Sequence, residues 1–366
     1  MRILHILSTL PPAGASAVTR LMHAQREDGL MVAAASMPAF GDAPGDGDGL
    51  RQFVDQALGG ADSFDVIHAH GTAAVPVTLA LDGPGPDRAP VMVTLHDWVS
   101  EEGVRTATVH AGALRLADLV TAPSALAASL VTTLGVEPQR VRTIPYVVDA
   151  APALTAEEAA HEREFVAWRM RGGEVIAAVS YGASGRHHEA ALRAMTFVSR
   201  ADALMCVLAG DVDVDACRRL ADSLGVAERV RVCAPHLNAR ALSARCDYLA
   251  LPSFDERRPF TLAEAWCDGV PVLAGRNAQF SGMDAQGHGT VFFDPQDPLD
   301  LARAIASVRS TTPTGRRMLV ERARAQYRQH YTAKAVFDAY MSEYRALLVA
   351  RHALDARLRA RRATAS

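Results

Sequence analysis

Apolar residues in this chain cluster in short runs set between longer stretches of mixed spacing, and the pattern occurs twice in succession. In the first half the runs fall at residues 3–7, 66–68, 91–95, 119–120 and 141–145. Each is too short for a helix and carries the branched apolar residues of a buried strand. Residues 17–25, 109–117 and 124–134 between them have helical spacing. A charged, alanine-rich helix with four glutamates is predicted over 155–170, and Arg171-Gly172-Gly173 closes it. A second series of runs then falls at 175–179, 203–208, 230–233, 248–251, 271–273 and 291–293. Strands alternating with helices predict parallel sheets covered on both faces, an α/β chain with two Rossmann-like domains. No fixed short repeat or low-complexity tract argues for a solenoid.

The length of 366 residues suits two domains better than one core. The expected bounds are 1–150 for the first domain and 151–330 for the second. A formal net charge of −3 supplies no basic field, so no nucleic-acid partner is expected. Lys334 is the sole lysine among 38 basic residues, so arginines, backbone N–H groups or helix ends must hold any phosphate. The five cysteines, Cys206, Cys217, Cys233, Cys246 and Cys267, are odd in number and lack a C-x-x-C spacing, which predicts reduced thiols in a cytoplasmic protein. No stretch approaches the ~18 apolar residues of a membrane span. The start of the chain faintly imitates a signal peptide, but His5, Pro11 and Pro12 interrupt it, and it reads as the first strand. Abundant alanine and arginine with almost no lysine point to a GC-rich, bacterial genome.

Candidate chemistry centres on Glu256 and Glu264. Glu256 falls on a loop after the run Leu249-Ala250-Leu251, and Glu264 lies in the helix that starts near Phe260 and closes at Asp268-Gly269. Eight positions apart, both carboxylates can face one ligand at the carboxyl end of a strand, beside a helix N-terminus suited to phosphate. As a bare pair, two solvated glutamates would be the simpler reading.

The surrounding residues Pro252-Ser253, Glu256, Arg258-Pro259, Glu264-Ala265 and Gly269-Val270-Pro271-Val272 resemble retaining glycosyltransferase family 4, enzymes of the GT-B fold that use nucleotide-sugar donors. The resemblance implies two Rossmann-like domains facing across a cleft. It places Glu256 by the donor sugar and Glu264 on the nucleotide ribose, with Arg258, Pro259 and Phe260 at the donor-binding helix start. It covers nearly the whole chain, ending in a helix at 331–350 that is similar to the family's closing helix and would cross back onto the first domain. Residues 351–366, with five arginines against one aspartate, then form a basic tail, read as a solvated helix end or as a peripheral contact with an anionic membrane at the inner face.

Three further sites follow the family pattern. Ala13-Gly14-Ala15-Ser16 matches its glycine segment after the first strand, with Gly14 at the donor diphosphate and Ala13 replacing one glycine. Thr94-Leu95-His96-Asp97-Trp98 places His96 at the transferred sugar, able to hydrogen-bond hydroxyls from either ring nitrogen. His68 and His70 also recur, with structural or acceptor-side roles. In the third segment, Val179-Ser180-Tyr181 through Gly185-Arg186-His187, Arg186 takes the place of the diphosphate-binding lysine and Tyr181 that of the arginine. Arg186 can hold a phosphate bidentately, whereas Tyr181 brings no charge.

The implied reaction moves a sugar from a nucleotide diphosphate to a hydroxyl acceptor, whether small molecule, polysaccharide or lipid-linked. No covalent nucleophile, cofactor or metal is expected, and His96, Glu256 and Arg186 do the positioning. Tyr181, Ala13 and the missing Gly-Phe-Gly keep a second reading open, a non-catalytic GT-B protein that binds a nucleotide or sugar or serves as a partner subunit. A GT-B epimerase or phosphorylase is the third. Oligomeric state is not readable.

Overall fold

A computed structural model of the chain describes its residues apart from 9, 11, 37–62, 72–73, 75–88, 97–107, 109–110, 182–185, 254–259, 285–286, 288 and 366. The chain divides into two compact units, Met1–Val147 with Ala333–Ser366, and Val148–Thr332.

The first unit is built on a parallel sheet of six strands. These are β1 (Arg2–Leu7), β2 (Met31–Ser36), β3 (Val66–His70), β4 (Val91–Thr94), β5 (Leu119–Ala122) and β6 (Val141–Thr143), in the order β2-β1-β3-β4-β5-β6. The strand Met31–Ser36 is absent from the sequence expectation. Its Ala33, Ala34 and Ala35 have weak β preference, and its position at the sheet edge leaves it mostly exposed or half-buried. The first helix, Pro12–Glu27, begins earlier than its apolar spacing suggests, because Pro12 sits in the first turn, where a missing N–H costs nothing.

The two faces of this sheet differ. Leu4, Ile6, Ile67, Ala69, Val91, Val93, Val120 and Ala122 form a wholly apolar core on one side. On the other, Ile3, Val66, Met92 and Leu119 pack against Val336, Tyr340, Met341 and Tyr344 of the C-terminal helix. Because side chains alternate along a strand, the next residues on that second face are His5, His68, Thr94 and Thr121, all buried. The face therefore changes from apolar to polar on the way to the carboxyl ends of the strands. Burying so many polar groups is tolerable only if they are hydrogen-bonded.

The C-terminal helix runs without a break over Ala333–Ala365, past the 350 boundary expected for it. Alanine, leucine and arginine dominate the added stretch and are strong helix formers, so the basic tail continues the helix.

The second unit holds β7 (Glu174–Ser180), β8 (Leu204–Gly210), β9 (Val230–Val232), β10 (Tyr248–Leu251), β11 (Val272–Gly275) and β12 (Thr290–Phe293). Their order is β12-β11-β10-β7-β8-β9, all parallel. The connections wind one way from β7 and the other way from β10, so the topological switch lies between these neighbours, where doubly wound sheets bind ligands. The helix foreseen over 155–170 is present as Ala156–Arg169, and Thr155 and Glu158 form a reciprocal capping box at its start. The helix Thr261–Asp268 ends at Gly269, whose φ of +76° is the left-handed conformation that glycine adopts without strain.

Candidate functional site

In the second unit the described donor candidates, Tyr181, Phe260 and Glu264, lie on the segments that follow β7 and β10. Ser180 is the last residue of β7, and its hydroxyl lies 2.7 Å from His187 Nδ1 and 3.2 Å from Ser253 Oγ. All three residues are buried. The carbonyl of Ser253 accepts a 2.9 Å bond from Asn277 Nδ2, and the Asn277 side chain also caps the helix Ala278–Met283. These contacts tie the switch region to the end of β11. Asn277, Ser180 and His187 are candidates that motif reading did not single out, since Ser180 and His187 stand among the matched positions of the third segment without a role of their own and Asn277 lies outside every matched segment. His187 directly follows Arg186, which opens the helix Arg186–Phe197, and the Arg186 side chain lies outside the described residues.

Glu264 sits in the first turn of the helix Thr261–Asp268 and is buried to 9% exposure. Its carboxylate lies 3.8 Å from Arg240 Nη1, while the same guanidinium donates two 3.0 Å bonds to Asp268. Arg240 thus holds both carboxylates of this helix, and its own pKa is raised by its bond to Asp268 and the Glu264 charge, against the opposing effect of burial. Phe260, just before the helix, packs with Tyr181 against the core of this unit and makes no side-chain cap. Glu256, Arg258 and Pro259 lie outside the described residues.

In the first unit His96 follows β4. Gly14, in the first turn of Pro12–Glu27, lies against it so closely that a Cβ on Gly14 would come 2.9 Å from His96 Cβ. Only glycine lets that turn approach the ring. His96 is 6% exposed, with Nδ1 2.6 Å from the Tyr146 hydroxyl and Nε2 3.1 Å from His70 Nδ1. Both ring nitrogens are therefore engaged within this unit, where the sequence expectation had them facing sugar hydroxyls. Burial depresses the pKa of His96 to about 3, so the ring is neutral at physiological pH. His68 and His70 are likewise held well below the usual histidine range, by burial first and by neighbouring imidazoles second. His96, His70 and Tyr146 form one wall of a shallow depression lined also by Arg20 and by apolar residues such as Leu21, Val336 and Phe337.

Comparison with known proteins agrees with this layout. The Glycosyl transferase 4-like domain matches residues 5–147, and the Glycosyl transferases group 1 domain matches residues 174–310. The chain belongs to the glycosyltransferases of the GT-B fold. Among curated relatives it is 29% identical over 133 residues to the D-inositol 3-phosphate glycosyltransferase of Mycolicibacterium smegmatis, 35% of this chain and 31% of that one. It is also 28% identical over 145 residues to the lipopolysaccharide core biosynthesis glycosyltransferase LpsE of Rhizobium meliloti, 39% of this chain and 42% of that one. The matched stretches thus span about a third to two-fifths of those relatives. Among solved structures, Anabaena HepE in complex with UDP superposes with a TM-score of 0.68 at 18% identity, covering 94% of this chain and 100% of that one. Sucrose-phosphate synthase from Thermosynechococcus elongatus superposes at 0.66 and 18%, covering 95% and 100%. At these identities the structures share the fold.

Proposed function

We propose that the protein is a retaining, metal-independent glycosyltransferase that moves a sugar from a nucleotide diphosphate to a hydroxyl acceptor. The observation that carries this reading is the placement of Ser180, Ser253 and the Arg240-held Glu264 around one topological switch point. Glu264 grips the ribose, Arg186, Arg258 and the helix start at Pro259-Phe260 receive the diphosphate, and Glu256 orients the sugar. Gly14 admits the donor beside His96, and the neutral His96 ring supports the sugar's seat. The anomeric carbon loses its bond to the diphosphate oxygen and gains one to the acceptor oxygen on the same face. The acceptor proton passes to the departing phosphate, so no side chain need act as nucleophile or base. The chain's contribution is orientation and positive charge where the phosphate gains negative charge. The UDP and UDP-glucose complexes of HepE favour a uridine donor. Arginines at the end of the C-terminal helix favour a cytoplasmic protein in peripheral contact with an anionic membrane and a lipid-linked acceptor, since each basic residue near such a surface contributes ~1 kcal/mol.

One observation favours a non-catalytic, nucleotide-binding alternative: Tyr181, at the family's arginine position, packs against the core of the second unit. The experiment that tests the main reading is a thermal-shift screen with UDP, GDP, dTDP, ADP and their sugar conjugates, on wild type beside Glu264→Ala. A shift by one nucleotide that Glu264→Ala abolishes supports the ribose grip, and full donor affinity in that variant counts against it. The product's anomeric configuration and turnover in EDTA then decide retention and metal independence.

A further inference from the structure

Three buried histidines of the first unit form a directed hydrogen-bond chain, and a fourth, His68, joins it by a branch through Tyr344 and Gln25. His5 Nε2 lies 2.9 Å from Gln25 Oε1, and His5 Nδ1 lies 2.8 Å from His70 Nε2. His70 Nδ1 is 3.1 Å from His96 Nε2, and His96 Nδ1 is 2.6 Å from the Tyr146 hydroxyl. Successive rings are inclined by 15° (His5 to His70), 28° (His70 to His96) and 23° (His96 to Tyr146), so the chain runs through nearly parallel rings. A neutral imidazole has one donor and one acceptor nitrogen, so fixing one ring fixes the next. Gln25 Oε1 can only accept, so His5 Nε2 carries its proton and His5 Nδ1 accepts from His70 Nε2–H. His70 Nδ1 then accepts from His96 Nε2–H, which leaves His96 Nδ1 to accept the Tyr146 O–H.

A second branch sets the sense of the first. The Gln25 amide nitrogen donates to the Tyr344 hydroxyl at 3.3 Å, and that hydroxyl donates to His68 Nδ1 at 2.6 Å. His68 Nε2–H then donates to Thr94 Oγ1 at 2.7 Å, and Thr94 meets Thr121 Oγ1 at 2.6 Å. The Thr121 hydroxyl donates to the Val93 carbonyl at 3.4 Å, so it accepts from Thr94, and Thr94 accepts from His68 Nε2–H. Tyr344, in the C-terminal helix and donating to His68 Nδ1, must then accept from the Gln25 amide nitrogen, which holds that amide one way round. All eight ring nitrogens are engaged. His5, His68 and His70 also lie close enough together to suggest a cation site. Yet the 2.8 Å between His5 Nδ1 and His70 Nε2 is a hydrogen-bond distance, shorter than the roughly 3.3 Å between nitrogens that each sit ~2.0–2.1 Å from a tetrahedral zinc.

We infer that Tyr344, Gln25, His5 and His70 are positioning residues that lock His96 in the Nε2–H tautomer and so hold its ring, with Tyr146, in a single orientation at the site. That His96 takes part in sugar transfer rests on the function proposed above. The tautomer lock itself does not.

The test is nitrogen–proton NMR of the full chain with ring-labelled histidine, assigned from single-site variants. Nε2–H at His5, His68, His70 and His96 in wild type is expected. In Tyr344→Phe the Gln25 amide loses its anchor, so His5, His70 and His96 become tautomer mixtures, and kcat falls about tenfold with the donor KM unchanged. Gln25→Leu gives the same loss. Gln25→Glu recovers most of it, because a buried carboxyl stays neutral and reproduces the donor and acceptor of the amide. The inference is overturned by Nδ1–H at any of the four wild-type rings, by unchanged tautomers in Tyr344→Phe, or by altered tautomers with unaltered kcat. A stoichiometric transition metal in purified wild type that is lost in His5→Asn overturns it as well. The spectra decide the chain whether or not turnover is found, so failure of the transferase reading stays separate.

Discussion

If the proposed donor site is right, Tyr181 is the residue on which donor affinity turns. It follows β7 directly, at the position where the family presents an arginine, and lies against the core of its unit with Phe260. A phenol there forgoes a charge-assisted bond to phosphate, which is worth ~1.5–3 kcal/mol. Tyr181→Arg is therefore expected to tighten UDP binding by about tenfold or more, read by titration calorimetry. No gain would mean that the diphosphate is held elsewhere. Glu264 could be singled out as a candidate in the sequence because it stands in a run of motif residues. Its holder Arg240 could not, because nothing in a lone arginine of another helix reveals the 3.8 Å contact. The same limit hid His5 and Gln25. A histidine inside an apolar strand reads as an isolated polar residue until the pairing of His5 with His68 across β1 and β3 puts them side by side.

Among the elements, the strands were the most legible, since a parallel strand buried on both faces leaves a continuous apolar run. All six of the second unit stand within a residue or two of the runs that predict them. The alanine-rich β2 leaves no such mark. Helix ends were legible where a cap carried them, as at Thr155 and Gly269. The latter supports a prediction. Alanine at 269 must adopt φ +76°, at a cost of ~1–2 kcal/mol, and its Cβ would displace the Arg324 guanidinium. Gly269→Ala should lower the urea stability of the second unit by about that amount. An unchanged midpoint would show that the helix can end by another route.

Across the whole molecule, the buried histidines make stability depend on pH. The folded pKa is depressed by burial from 6.5 to about 4 for His5 and to about 3 for His96. The unfolded chain then takes up protons below pH 6.5 that the folded chain refuses, so stability is full above that pH and falls as the pH drops toward 4. At pH 5 each of these two rings contributes a loss of ~2 kcal/mol. Calorimetric melts from pH 7.5 to 4.5 should show the transition of the first unit descending steeply, and His5→Asn should flatten the slope. An equal slope in that variant would place the acid sensitivity elsewhere.

The discontinuity of the first unit has a consequence for biosynthesis. Residues 148–332 leave the ribosome before Tyr340 and Tyr344 exist to cover the second face of the β1–β6 sheet. The second unit can thus mature as an insert while its host still lacks the helix that seals it, and His5, His68 and His70 stay open to water until late in translation. Nascent chains arrested with residue 332 outside the exit tunnel should resist protease across the second unit and be cut within the first.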